Sequence, residues 1–191
     1  MDQLGLSFFE KDTLTVARNL LGCRLALGEL EGMIVETEAY TTDAASHGLL
    51  PGERSRLMKE TAGRVYVYLI YGMYHCLNFT TDTTGPGAVL IRAIEPQRGF
   101  EAHSPAHHWH KLANGPGKLC RLFGIDLSYN GSLVGDKIQL LKPVTEVEIA
   151  TSPRIGISKA IDLPWRFYIP GNKAVSRVKT PQPTLLQSSE I

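Results

Sequence analysis

Apolar and polar positions alternate most regularly over residues 64 to 78, RVYVYLIYGMYHCLN, and this stretch predicts a β-hairpin. Val65 to Ile70 keeps the period of two of a strand, Gly72 permits the positive φ of a tight reversal, and Tyr74 to Phe79 resumes the alternation. A reversal at Tyr71 and Gly72 sets a large aromatic at the apex, with no core behind it. A helical period appears earlier: Asp12 precedes Leu14, Ala17, Leu20 and Leu21, and Gly22 follows, so residues 13 to 21 read as a capped amphipathic helix. Cys23 to Leu27 and Met33 to Tyr40 read as strands joined through LGELEG. AVLIRAIEP, from Ala88, is an apolar strand stopped by Pro96 and interrupted by one charge, Arg92. A loop over 41 to 62 contains a short helix, and NGPGK opens another of about two turns. Residues 137 to 141, 146 to 150 and Trp165 to Ile169 read as short strands. Hairpins and short helices without βαβ alternation predict an α+β fold: a single domain over 1–178 with a curved, largely antiparallel sheet and a protruding hairpin. Residues 179–191 have the composition of a loose tail.

Length and composition narrow this picture. A chain of 191 residues with 43% hydrophobic content supports one buried core rather than two. No apolar run reaches the ~18 to 20 residues of a membrane span, and acidic residues stand where a signal peptide needs basic ones, so no membrane association and no secretion are expected. Cys23, Cys76 and Cys120 form no CxxC pair and are expected as buried, reduced thiols. The net charge of +1 is segregated: the first fifty residues are acidic, whereas Arg154, Lys159, Arg166, Lys173, Arg177 and Lys179 give the C-terminal segment a basic balance suited to phosphates. No phosphate-binding glycine loop is present, so no nucleotide cofactor is expected. His103, His107, His108 and His110 cluster without a spaced cysteine or carboxylate, and no metal site is expected there.

The chemistry concentrates in IVETEAY. A strand period places Glu36, Glu38 and Tyr40 on one face, where two buried carboxylates repel unless a cation holds one of them. One is then structural, held by a buried arginine, and the other is free to accept a proton; the pattern does not choose between them. The competing reading has both solvated on an exposed face. His47, ending DAASH, is able to stack, donate a hydrogen bond or pack, and Cys76 reads as buried filler with no activating base beside it. An aromatic wedge on a β-ribbon suits the opening of stacked bases, against the reading that the tyrosines are ordinary sheet residues.

Taken in order, FFEKDTLTVARNLLG, VETEAY, YVYLIYGMYHCLN, AVLIRAIEP, ANGPGKLCRLFGI and RFYIPGNKAVS resemble the alkyladenine (3-methyladenine) DNA glycosylase family in its compact form, over Phe8 to about Ser176. The resemblance implies a monofunctional, cofactor-free and metal-free enzyme that removes alkylated purines (3-methyladenine, 7-methylguanine) and hypoxanthine from double-stranded DNA as a monomer. Such an enzyme works at the nucleoid of a bacterial cytoplasm or in a eukaryotic nucleus. By position it makes Glu38 the general base and Glu36 its support. Tyr40 stacks on one face of the flipped base, His47 lies opposite, Tyr68 completes the pocket, and Asn78 screens its floor against guanine. Tyr71, with Met73 beside it, enters the DNA stack, and Arg92 stands near the target phosphate and the attacking water. HGLLPGERSRLMKETAG departs from the family's Pro-Arg-Asn element, although Arg54, Arg56 and Arg64 remain candidates for phosphate contacts. The alternatives are a non-catalytic DNA-damage recognition module and a small-molecule or sugar hydrolase.

Overall fold

Asp12 starts the structured core: its carboxylate accepts from Thr15 N–H and caps the helix over Thr13–Asn19, whose apolar stripe presents Val16, Ala17 and Leu20 to the sheet. The computed structural model describes residues 3–177 and 184–185, without the side chains of residues 53, 54, 184 and 185; the side chain of Arg54 and the whole of Lys179 thus lie outside the described set. The helices are α1 (Leu6–Phe9), α2 (Thr13–Asn19), α3 (Glu53–Glu60) and α4 (Pro116–Phe123). The strands are β1 (Arg24–Leu27), β2 (Leu30–Tyr40), β3 (Val65–Ile70), β4 (Tyr74–Thr80), β5 (Ala88–Arg98), β6 (Gln139–Leu141), β7 (Ala150–Ser152), β8 (Arg166–Tyr168) and β9 (Thr184–Leu185). They form one curled antiparallel sheet in the order β3-β4-β5-β2-β8-β7-β9, with β1 paired to β2 and β6, and the fold is single-domain α+β.

Several boundaries differ from the sequence reading, each for a physical reason. The helix ends at Asn19 rather than 21, because Leu20 caps it and Gly22 takes φ +81°. Pro96 does not stop β5. It pairs opposite Gly32, where the β2 register shifts, and a Cβ on Gly32 would lie 2.4 Å from Ile94, so this glycine lets the two backbones approach. The strand expected over 146 to 150 begins only at Ala150 and pairs with β8 and β9, not with β6, since β6 is used by β1. Of the expected loose tail, only Thr184 and Leu185 are described, paired with Thr151 and Ala150.

The sheet has two working faces. One carries Ile34, Leu77, Phe79, Val89 and Ile91 into the core beneath α2 and α4, and Thr37 Oγ1 donates to Ala17 O at 2.8 Å to fix α2 on it. The other faces the candidate site. Two irregularities aim β2 and β5: Val35 falls between the pairs Ile34↔Ile94 and Glu36↔Ala93, and Arg92 is the extra residue between Glu36↔Ala93 and Thr37↔Ile91. A one-residue slip turns side chains to the opposite face. Ile34 thus stays in the core while Glu36 and Glu38 point away from it, and Arg92 is aimed at both.

Candidate active site

Glu36 and Glu38 are fully buried, which removes the reading of two solvated carboxylates. Their surroundings differ. Glu36 Oε1 accepts from Arg166 Nε at 2.6 Å, its Oε2 accepts from Ser176 N–H at 2.8 Å, and Arg92 Nε lies 3.3 Å away outside hydrogen-bond geometry. Arg166 is 1% exposed and spends a second donor on Ser152 Oγ. Glu38 has no such private cation. Its Oε2 accepts from Tyr40 O–H at 2.8 Å and from Arg92 Nη1 at 3.3 Å, and its Oε1 accepts from Ile155 N–H at 2.7 Å.

The electrostatics follow from these partners. Burial pushes the Glu38 carboxyl above its ordinary value, and the charge of Arg92 and the hydrogen bonds from Ile155 and Tyr40 offset only part of that rise. Burial works the other way on Arg92, yet the charges of Glu38 and Glu36 outweigh it and hold the guanidinium firmly protonated. Burial and the neighbouring Glu38 charge push the Tyr40 phenol up, so it stays a donor. One proton-accepting oxygen pair therefore sits in a dry setting between a fixed cation and fixed dipoles.

A cavity of about 320 Å³ opens against this cluster, at the small end of the roughly 300 to 1,000 Å³ of ligand pockets. Tyr40, His47, Tyr68, Asn78 and Arg92 all line it, so the fold brings together five residues distant in sequence. Glu38 stands one layer behind, reached through Tyr40 and Arg92. His47 is not a lone packed histidine: its Nδ1 lies 2.8 Å from Tyr66 Oη, and its ring meets Tyr68 edge-on at 4.7 Å. Asn78 Nδ2 donates to Tyr66 O at 3.0 Å and Cys76 O at 3.2 Å, which leaves Oδ1 as the polar atom for the cavity. Cys76 is buried as expected but also lines the cavity.

At its rim the cavity meets the β3–β4 reversal. Ile70 pairs with Tyr74, Met73 N–H closes on Ile70 O at 3.2 Å, and Tyr71 and Gly72 take φ of 53° and 69°. A tyrosine in the left-handed region is uncommon, and such strain costs about 1–3 kcal/mol. Tyr71 is 79% exposed and Met73 65%, an apolar tip with little beneath it to compensate. Tyr74 leans on the start of α4 instead, against Gly117, where a Cβ would lie 3.0 Å from its ring.

The expected basic C-terminal surface is corrected in part. Lys159, Lys173 and Arg177 are exposed, but Arg166 is spent on Glu36, and Arg154 is buried on Asp43, with Nη2–Oδ1 at 2.6 Å and Nη1–Oδ2 at 3.1 Å. Arg64 donates to Gly131 O at 2.7 Å, and exposed Arg56 lies 3.9 Å from Glu60. The four histidines of the 103–110 loop sit far from the carboxylates in sequence and outside the cavity lining, and no group of three or more His, Cys, Asp or Glu able to hold a metal ion occurs among the described residues. No helix among them is long and apolar enough to cross a membrane. Sequence reasoning missed Tyr66, Asp43, Arg154 and Ile155 as parts of the site. The alternation of β3 already put Tyr66 on the face of Tyr68, whereas nothing local marks Arg154 or the backbone of Ile155.

The family model described as "Methylpurine-DNA glycosylase (MPG)" matches residues 7–173. A Rhizobium etli protein is 45% identical, covering 90% of this chain and 87% of its own; one from Methanoculleus marisnigri is 43% identical, covering 91% and 98%. One from Bacillus cytotoxicus is 42% identical, covering 89% and 97%. All three bear the name "Putative 3-methyladenine DNA glycosylase".

Proposed function

The chain belongs to the methylpurine-DNA glycosylase family, and from that premise we propose that it flips alkylated purines out of duplex DNA and hydrolyses their N-glycosidic bond with water activated by Glu38. The observation that carries the reading is the asymmetry of the carboxylates: Glu36 is held by Arg166, whereas Glu38 shares Arg92 and stands directly behind Tyr40 and Arg92 of an aromatic cavity whose rim bears Tyr71.

A glycosidic bond inside a duplex is out of reach, so the nucleotide must leave the stack at a cost of a few kcal/mol. Tyr71 fills the gap, with Met73 beside it. Stacking of the extruded base against Tyr40, with His47 and Tyr68 across the cavity, offsets that cost by roughly 1 to 3 kcal/mol per base, and a base bearing positive charge gains further from the ring faces. Asn78 Oδ1 and the crowding around it meet the base edge. The cavity then selects alkylated purines by charge as well as by shape, and 3-methyladenine and 7-methylguanine, both cationic as nucleotides, suit it better than neutral hypoxanthine.

Glu38 takes a proton from water as that water attacks the anomeric carbon. The carboxylate also opposes the positive charge developing on the sugar, whose transition state is oxocarbenium-like. Desolvation makes Glu38 a better base near neutral pH than a solvated carboxylate. Arg92 keeps the charge of Glu38 in place and lines the cavity, in keeping with the family role that sets it near the target phosphate and the attacking water. No lysine is among the described residues that line the cavity, so base release leaves an abasic site and an intact strand. Incubating methylated duplex DNA with the protein and separating the products tests this. Free methylated purines and alkali-labile sites are expected; intact DNA with no free base would overturn the reading.

A further inference from the structure

The second residue after β7, Arg154, has no solvent-exposed side-chain surface and no place in the cavity lining, yet it touches three parts of the site. Its fork grips Asp43 through both carboxylate oxygens and donates to Ala39 O at 2.8 Å. Its guanidinium lies 4.6 Å from the Tyr40 ring centroid and 5.1 Å from that of Trp165. Tyr40 lines the cavity and Arg154 does not, so the cation covers the ring face turned away from the cavity. The next residue, Ile155, places its N–H on Glu38 Oε1 at 2.7 Å. Asp43 in turn accepts from Ala45 N–H at 2.9 Å and Thr41 N–H at 3.3 Å, which orders the loop running to His47.

We propose that Arg154, gripped by Asp43, is a positioning residue for the reaction: one buried ion pair fixes the Ile155 N–H on Glu38, the rear face of the Tyr40 ring and the loop that carries His47. The proposal rests on Glu38 being the base. Its effect on Glu38 is separable from the other charges there. Arg92 reaches Glu38 from β5, Tyr40 and Glu36 share its strand, Tyr68 and Cys76 face it from β3 and β4, and Arg166 of β8 is committed to Glu36. Two donors to Glu38 depend on the position of Arg154: the Ile155 N–H, next to it in the chain, and the Tyr40 O–H, whose ring its guanidinium covers. A lysine at 154 keeps the charge but cannot hold both oxygens of Asp43 and the Ala39 carbonyl in one plane.

The test is a carbon-13 NMR titration of the Glu38 carboxyl, assigned with Glu38→Gln, in the wild type, Arg154→Lys and Asp43→Asn. Asp43→Asn keeps the shape of the pair and stands as the test should Arg154→Lys not fold. Loss of an N–H donor to the carboxylate raises its midpoint, and a rise of about 1 pH unit is expected in both variants. The acid limb of single-turnover base release should rise with it. A Glu38 midpoint unmoved in folded variants overturns the proposal. A midpoint that rises in a protein whose wild type releases no base supports the positioning device and refutes the glycosylase reading instead.

Discussion

Glu38 is densely surrounded: one arginine, a phenol, a second carboxylate and a backbone N–H lie around it, and its strand is paired on both sides. At Tyr71, on the same sheet, there is almost nothing: a three-residue reversal, a strained φ and a ring open to solvent. The first region spends the fold's stability on holding charge in place; the second spends conformational strain on holding an apolar group out of place. Both are arrangements a chain selected only for stability would avoid. Buried ion pairs barely repay their desolvation, and a tyrosine with positive φ is easily relieved. Their adjacency around one aromatic cavity is what makes a functional reading stronger than a structural one.

That contrast is open to attack from either side. Glu36→Gln should be the most damaging to the fold, because it leaves Arg166 and half of Arg92 buried without their counter-charge. A loss of about 3–5 kcal/mol is expected in denaturant unfolding, and a change below 1 kcal/mol would show that the two carboxylates are interchangeable. Tyr71→Ser should weaken binding to a damaged duplex by about 1 to 3 kcal/mol and to a single strand much less, measured by fluorescence anisotropy; equal losses on both would deny the wedge. Acidification discriminates the regions again. Since burial holds the Glu38 carboxyl above its ordinary value of 4.5, base release should fall on an acid limb above that value, while Tyr71-dependent duplex binding should not follow it. The smallest effect is the most pointed: Tyr71→Gly should stabilise the fold by up to about 1 kcal/mol as it loses duplex affinity, because glycine takes the positive φ without strain.

Much of the fold was legible because it is local. Asp12 announces α2, the alternation over 65 to 70 and 74 to 79 announces the hairpin, and the period of IVETEAY places Glu36, Glu38 and Tyr40 together. What was not legible depends on long separations or on backbone irregularities. Arg166 and Arg154 look like surface charges in the sequence. Only pairing of β8 with β2 brings Arg166 to Glu36, and only the packing of the 153–156 segment brings Arg154 to Asp43. The extra residue at Arg92 is invisible to a period of two, and so is the close approach at Gly32 that carries β5 past Pro96. The residues around His47 left it open to stacking, hydrogen bonding or packing, and its partner Tyr66, nineteen positions later, is what fixes its setting.

The claim that joins the two regions is that Glu38 performs the chemistry while Tyr71 only makes room for it. Single-turnover release of 3-methyladenine from a duplex, compared between the wild type and Glu38→Gln and set beside their binding to abasic-site DNA, tests it most directly. Loss of at least about 100-fold in rate with binding unchanged is the predicted result; a Glu38→Gln protein that still releases base at a rate near that of the wild type would contradict the account.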